Sequence, residues 1–137
     1  MMRAMRGWSA NIEDVTTKNT TFRTEVFTGK HLQLTVMSIG SGEEIGLEVH
    51  DDVDQFLRVE AGTARVVMGA AKDKLDETHE LQDDWAVIIP AGTWHNVINT
   101  GTAPLKLYSI YTPPEHPKGT VHRTKAEADA AEAEHHK

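Results

Sequence analysis

Gly42-Glu43-Glu44-Ile45-Gly46-Leu47-Glu48-Val49-His50-Asp51-Asp52-Val53-Asp54-Gln55 is the stretch on which the fold turns. Within it Glu48 and His50 stand two apart in a strand-like run, so both side chains point to one face. Two groups of metal-ligand type side by side on an inward face are costly to bury unless they are paired or hold a cation. Gln55 opens the next strand, across the short acidic turn Asp51-Asp52-Val53-Asp54. Much later, Pro90-Ala91-Gly92-Thr93-Trp94-His95 brings a further histidine to the start of another strand, just past a Pro/Gly turn.

Outward from this stretch the chain reads as short β-rich runs separated by turn residues. Thr24 to Thr28 and His31 to Ile39 flank the turn Gly29-Lys30. In the second run Leu32, Leu34 and Val36 alternate with Gln33 and Thr35, the period of a half-buried strand. Gly40-Ser41-Gly42 marks the next turn. Further strands are expected at Ile45 to His50, Gln55 to Glu60, Ala64 to Met68, Thr78 to Leu81, Ala86 to Ile89, His95 to Asn99 and Leu105 to Tyr111. The charged segment Gly69 to Asp76 reads as an exposed hairpin loop. Nothing between Phe22 and Tyr111 has the period of an amphipathic helix, so the pattern is that of a sandwich or barrel. There is no internal repeat, which makes it one barrel. The stretch through Thr21 is polar and aperiodic and reads as an arm, free to add an edge strand or to cross to a partner subunit.

Order and spacing join these features. From Gly42, five residues lead to Glu48, one to His50, four to Gln55 and six to Gly62. This resembles the first motif of the cupin superfamily, Gly-x5-His-x-His-x3–4-Glu-x6-Gly. The second cupin motif, Gly-x5-Pro-x-Gly-x2-His-x3-Asn, is matched in register by Pro90, Gly92, His95 and Asn99, with Asp84 at the first glycine position. The resemblance spans residues 40 to 112. It implies an all-β fold, a double-stranded β-helix or jelly-roll barrel with the site inside at one end. The chain then divides into an N-terminal arm (1–21), the barrel (22–112) and a C-terminal tail with a short helix (113–137).

The resemblance also implies one divalent metal ion, with Glu48, His50, Gln55 and His95 as its ligands. The family's first histidine is Glu48 here, and the family's glutamate is Gln55. Three histidines and one carboxylate thereby become two histidines, one carboxylate and one neutral amide, with the formal ligand charge unchanged. Glu48, His50 and His95 form a two-histidine, one-carboxylate set that suits iron(II) with open positions and accommodates manganese, cobalt, nickel or zinc, so the metal is not distinguished. Asp54 competes with Gln55, because the family spacing allows three or four intervening residues. Gln55 is preferred, since only from there does the six-residue step land on Gly62. Trp94 reads as barrel packing or mouth lining. Asn99 reads either as a core amide satisfying backbone groups or as a partner of His95. Leu57 and Val59 are apolar inward neighbours.

Composition narrows the partners. The 137 residues carry 21 acidic and 14 basic side chains, a formal charge of −7 without a compensating basic stripe, which disfavours nucleic acid. The absence of cysteine excludes disulfides and thiolate sites and fits a reducing compartment. Arg3 and Arg6 are not followed by an apolar signal-type segment. No apolar run approaches the roughly 20 residues that span a bilayer. The expectation is a cytoplasmic protein with no membrane partner.

Past Thr112-Pro113-Pro114, the run Thr124-Lys125-Ala126-Glu127 has the form of a capping box, and the alanine and glutamate residues to Glu134 favour a short helix. The closing His135-His136-Lys137 suits a helix C-terminus. The segment from Pro113 to His122 is similar to the tails of small cupins labelled as sugar-phosphate-isomerase-like. Its His116 and His122 read as surface-loop residues, in preference to a cover over the barrel mouth. The resemblance further implies a homodimer. The leading expectation is a metal-dependent enzyme acting on a small oxygenated metabolite, by isomerase, lyase or dioxygenase chemistry; the alternative is a non-enzymatic module binding a small molecule or the metal itself.

Overall fold

Strands β1 (Arg23–Thr28), β2 (Gln33–Ile39), β3 (Asp54–Ala61), β4 (Ala64–Gly69), β5 (Glu77–Leu81), β6 (Ala86–Ile89), β7 (Trp94–Asn99), β8 (Leu105–Thr112) and β9 (Val121–His122) build the molecule, with helices α1 (Ile12–Lys18) and α2 (Lys125–His135) before and after them. The structure, a computed structural model, describes residues 6–135. Residues 1–5 of the arm and the closing His136-Lys137 lie outside the described residues. The strands form two antiparallel sheets, one in the order β6-β3-β8-β2-β1-β9 and one in the order β5-β4-β7. This is the jelly-roll barrel that the strand pattern implies.

The register of the large sheet fixes what looks into the barrel. Gln33, Tyr111 and Gln55 are cross-strand neighbours, as are Thr35, Ser109 and Leu57, and Met37, Leu107 and Val59. All of these are at most 2% exposed. One end of the interior is therefore polar and the other apolar. The facing wall comes from β4 and β7, with Met68 opposite His95 and Val66 opposite Val97. Burial of the apolar end supplies the main driving force for closing the barrel, at roughly 25 cal/mol per Å² of apolar surface. The alternation in β2 differs from its simplest reading. Leu32 is exposed just before the strand, Leu34 and Val36 are buried on the outer face, and the inward positions belong to Gln33 and Thr35.

Two expected elements take other forms. The run Ile45 to His50 is not a continuous strand; its backbone pairing with β7 is reduced to the isolated bridges Glu44 to Ile98 and Glu48 to His95. Gly46 breaks it, with φ at 111° and its N–H donating to Asn96 Oδ1 at 2.9 Å. The arm holds a helix where an edge strand was one expectation. Asn11 caps α1 by accepting from the Asp14 N–H at 3.0 Å. Glu13 and Asp14 lie in its first turn and Lys18 in its last, as the helix dipole favours. Buried Thr16 folds its hydroxyl back onto the Ile12 carbonyl, and the helix packs over β2, β3 and β8. Seven residues with two adjacent threonines carry little helical signal, so tertiary packing decides this element.

The glycine frame of both motifs has a backbone reason. Gly42, Gly62 and Gly92 have φ values of 74°, 93° and 79°. Asp84 stands where the second motif has glycine, and its φ is 73°, in the same left-handed region. Aspartate visits that region more readily than most residues, and the Asp84 carboxylate accepts from Arg58 Nη2 at 3.0 Å. At the other end, α2 begins as its sequence implies. Thr124 Oγ1 accepts from the Glu127 N–H, while Glu127 reaches back to the Arg123 N–H. Ala128, 6% exposed, docks the helix beside the barrel mouth.

Candidate metal centre

His95 begins as a strand residue facing Met68 across β4 and β7, and is 2% exposed. Its Nδ1 lies 2.9 Å from the Thr93 carbonyl, which makes Nδ1 the protonated nitrogen and leaves the Nε2 lone pair free. Glu48 is bridged to His95 through both backbone directions, Glu48 N to His95 O and His95 N to Glu48 O, each at 2.9 Å. This pairing carries the Glu48 carboxylate over the imidazole. His50 follows two residues later, anchored by the Gly92 N–H donating to its carbonyl at 2.8 Å. The first motif is thus hooked directly onto the turn of the second.

The outcome is a triad. The Nε2 atoms of His50 and His95 each lie 3.4 Å from Glu48 Oε1. One ligand-type atom from each of Glu48, His50 and His95 falls within 4.8 Å of the others. Both Nε2 atoms are buried and without a hydrogen-bond partner. Two buried imidazole nitrogens without a hydrogen-bond partner, beside one carboxylate oxygen, are a set that a cation would satisfy on displacing the His50 proton.

Gln55 lies on the same inner face but is tied elsewhere. Its Nε2 donates to Ser109 Oγ at 3.0 Å and approaches Tyr111 Oη at 3.5 Å, while its Oε1 is buried without a partner. Tyr111 links it to the triad, its ring standing edge-on to His50 at 6.1 Å between centroids. Asp54 faces outward and is exposed, with Oδ1 accepting from the Ala91 N–H at 2.8 Å. The strand alternation therefore places Gln55 inward and gives Asp54 the task of holding the second-motif turn. Asn99 takes the plainer of its two readings: its Nδ2 donates to the Ile39 and Ala103 carbonyls and its Oδ1 accepts from the Gly101 N–H. Trp94 lines the cavity mouth.

Two contributors, Glu115 and Gln33, escaped sequence reasoning. Glu115, past the barrel, places Oε1 3.2 Å from His50 Nδ1. Gln33, 0% exposed, holds that tail segment: its amide donates to the His116 carbonyl at 2.7 Å and accepts from the Glu115 and His116 N–H groups at 3.2 and 2.9 Å. His116 stacks edge-on against Tyr111 at 5.2 Å and lines the cavity, so the tail covers the mouth, the reading ranked second. Neither periodicity nor spacing marks these residues. The one signal was the proline-rich segment from Pro113, which is rigid enough to hold a fixed path.

Charge in the centre is strongly coupled. Burial pushes the Glu48 carboxyl up, but close contact with His50 and His95 outweighs this and holds it well below the usual carboxylate range. Burial lowers His50, yet Glu115 and Glu48 outweigh it and raise the imidazole to about 10. Glu115 is pushed up by burial and pulled further down by His50, ending lowered. Burial, with Arg23 adding to it, brings His116 down to about 3 and keeps it neutral. Without a metal the protein's own charges are a protonated His50 between two carboxylates, a proton that a cation would have to displace.

Residues 35–111 match the family model of the cupin domain. The chain is 62% identical over 122 residues to the uncharacterized protein YrkC of Bacillus subtilis, covering 89% of this chain and 66% of that one. It is 43% identical over 112 residues to the uncharacterized protein L612 of Acanthamoeba polyphaga mimivirus, covering 81% and 68%. The chain thus spans about two thirds of the length of these relatives. The crystal structure of BH2720 from Bacillus halodurans superposes with a TM-score of 0.90 at 60% identity, over 91% of this chain and 95% of that one. The span matched by the family model runs from the inward Thr35 to the inward Tyr111 and holds both glycine frames, and the chain belongs to the cupin family.

Proposed function

We propose that the chain is a metal-dependent enzyme acting on a small oxygenated molecule, with Glu48, His50 and His95 holding one divalent ion and Gln55 as a weaker fourth donor. The observation that carries this reading is the pair of buried, unpartnered Nε2 atoms facing one Glu48 oxygen at 3.4 Å. Two imidazoles, a carboxylate and an amide oxygen suit iron(II), manganese, cobalt, nickel or zinc. The ion supplies Lewis acidity toward a hydroxyl, carbonyl or carboxylate oxygen, or dioxygen activation where it is iron(II).

The chain's own groups supply the rest. Glu115 and the Thr93 carbonyl fix the two imidazoles through Nδ1, which keeps both Nε2 atoms on the centre. Ser109 and Tyr111 engage the Gln55 amide nitrogen, which leaves its oxygen as the free end. Leu57 and Val59, both fully buried, keep the barrel dry behind the site. The reading extends to a homodimer in the cytoplasm, supported by Trp85 and Ile88, exposed beside and on the open edge strand β6, and by the absence of cysteine.

Elemental analysis of protein purified without added metal, repeated after reconstitution, tests the site. One ion per chain is expected, lost in His95→Ala. Protein that stays metal-free after reconstitution overturns the reading. Metal without turnover of any hydroxy or oxo compound reduces it to a binding module.

A further inference from the structure

Arg23, the first residue of β1, is enclosed at 6% exposure. No ion pair of the described residues includes it. Its Nη1 has only His122 Nδ1, at 3.5 Å, and its Nε is buried without a hydrogen-bond partner. The guanidinium carbon stands 5.5 Å from the centre of the Phe22 ring, which gives the group an apolar shelf. A guanidinium stays charged at any accessible pH, and a buried charge without a counter-charge is costly. Its imidazole neighbours do not neutralise it, since they carry no negative charge. The structure therefore holds a buried positive group with an unpartnered donor.

That group shares a cavity with the candidate metal centre. Arg23, Glu48, His50 and His116 line one space of about 580 Å³, inside the range of roughly 300–1,000 Å³ typical of small-molecule sites. Carboxylates match the planar fork of arginine through two parallel hydrogen bonds. A phosphate dianion fits less well here, because the acidic side chains lining the same cavity, Glu48, Glu115 and Glu132 among them, outnumber its cations Arg23, Lys72 and Lys125.

We infer that Arg23 is the carboxylate-binding residue of this cavity, so that the molecule it admits is a small organic acid whose hydroxyl or carbonyl oxygen faces Glu48, His50 and His95. The second anchor rests on the metal reading above; the Arg23 anchor does not.

Calorimetric titration with lactate and pyruvate tests it, with propane-1,2-diol and inorganic phosphate as comparisons, on protein as purified and after chelation. Saturable binding of at least one acid is expected, with the diol and phosphate weaker by about tenfold or more. Arg23→Gln lowers acid affinity by about tenfold or more while metal content stays at the wild-type level. Acid affinity that is unchanged in Arg23→Gln, a diol or phosphate that binds as well, or no binding by either acid overturns the proposal. Should Arg23→Gln fail to fold, the ¹⁵N resonance of Arg23 Nε in the wild type decides: it moves with acid titration if the proposal holds, and its remaining still overturns it. The two readings fail separately. Protein without metal that binds acid through Arg23 removes the metal reading alone, and metal-loaded protein whose acid binding ignores Arg23 removes this one alone.

Discussion

His50 Nδ1 stands 3.2 Å from Glu115 Oε1, so a histidine of the first motif is gripped by a carboxylate from beyond the last barrel strand. Its other nitrogen faces Glu48 at 3.4 Å. The tail is therefore part of the centre: it orients one imidazole and walls the cavity with Glu115 and His116. A carboxylate behind a ligand-type histidine both fixes the ring and makes it a better electron donor.

Glu115→Gln keeps the shape and removes the charge. Metal affinity is expected to fall by about tenfold, at the lower end of the effect of losing such a partner, measured by competition against a chelator of known affinity. A merely structural role leaves the pH profile where it was. Loss of the carboxylate instead releases the His50 proton more readily, so the pH at which affinity levels off moves down.

The His50 proton also sets the pH dependence of the wild type. Its imidazole goes from 6.5 to about 10 on folding, under the Glu115 and Glu48 carboxylates and against burial. The folded state of metal-free protein thus holds this proton more tightly than the unfolded one. The stabilisation is fully present below pH 6.5 and is lost as pH rises toward about 10. Melting of chelator-treated protein should therefore fall across that window. Glu48 works on the acid side: its lowered carboxyl stabilises the fold above the ordinary value of 4.5 and loses that effect as pH drops. Metal affinity runs the other way. Binding displaces the His50 proton, so affinity should rise by about tenfold per pH unit up to the His50 value, with one proton released per ion in calorimetry across buffers of different ionisation enthalpy.

The motif frames were readable because they are backbone requirements as much as chemistry. Gly62 has φ of 93°, and a Cβ there would stand 3.1 Å from the Leu105 Cα. Asp84 shows the same demand met by another residue. The barrel, its strand runs and the Glu48, His50 and His95 trio followed from these frames with a period of two. Other features obey no local rule. Gln33 looks like the polar face of a half-buried strand, yet it is the inward face, because both sides of β2 are covered. Glu115 and Arg23 lie outside the motifs, and only the closed topology brings them to the cavity. Helix α1 is too short and too rich in β-branched residues to announce itself.

Gln55 and Asp54 make a direct comparison. Gln55→Ala removes the buried amide from Ser109 and Tyr111 together with its unpartnered Oε1. It should weaken metal binding without abolishing it. Asp54→Ala removes only the acceptor for the Ala91 N–H at an exposed position, worth about 1 kcal/mol. It should leave metal affinity within error and lower the melting temperature slightly. Greater loss of metal in Asp54→Ala than in Gln55→Ala would show that the register of the first motif is wrong.

Gln33 carries the tail, and its removal tests whether that path matters to the centre. The side chain is fully buried and donates to Thr28 Oγ1 and the His116 carbonyl while accepting from the Glu115 and His116 N–H groups. Gln33→Leu keeps the volume but leaves those backbone groups without their partner, a cost of about 2–4 kcal/mol that a thermal or denaturant melt reads directly. Because these bonds hold the residues that carry the Glu115 carboxylate to His50, metal affinity should fall as well. The decisive comparison is the double variant with Glu115→Gln. If Gln33 acts on the metal through Glu115, the two losses of affinity are less than additive, since the second change removes a contact the first has already loosened. Full additivity would mean that Gln33 stabilises the barrel and leaves the His50 contact intact.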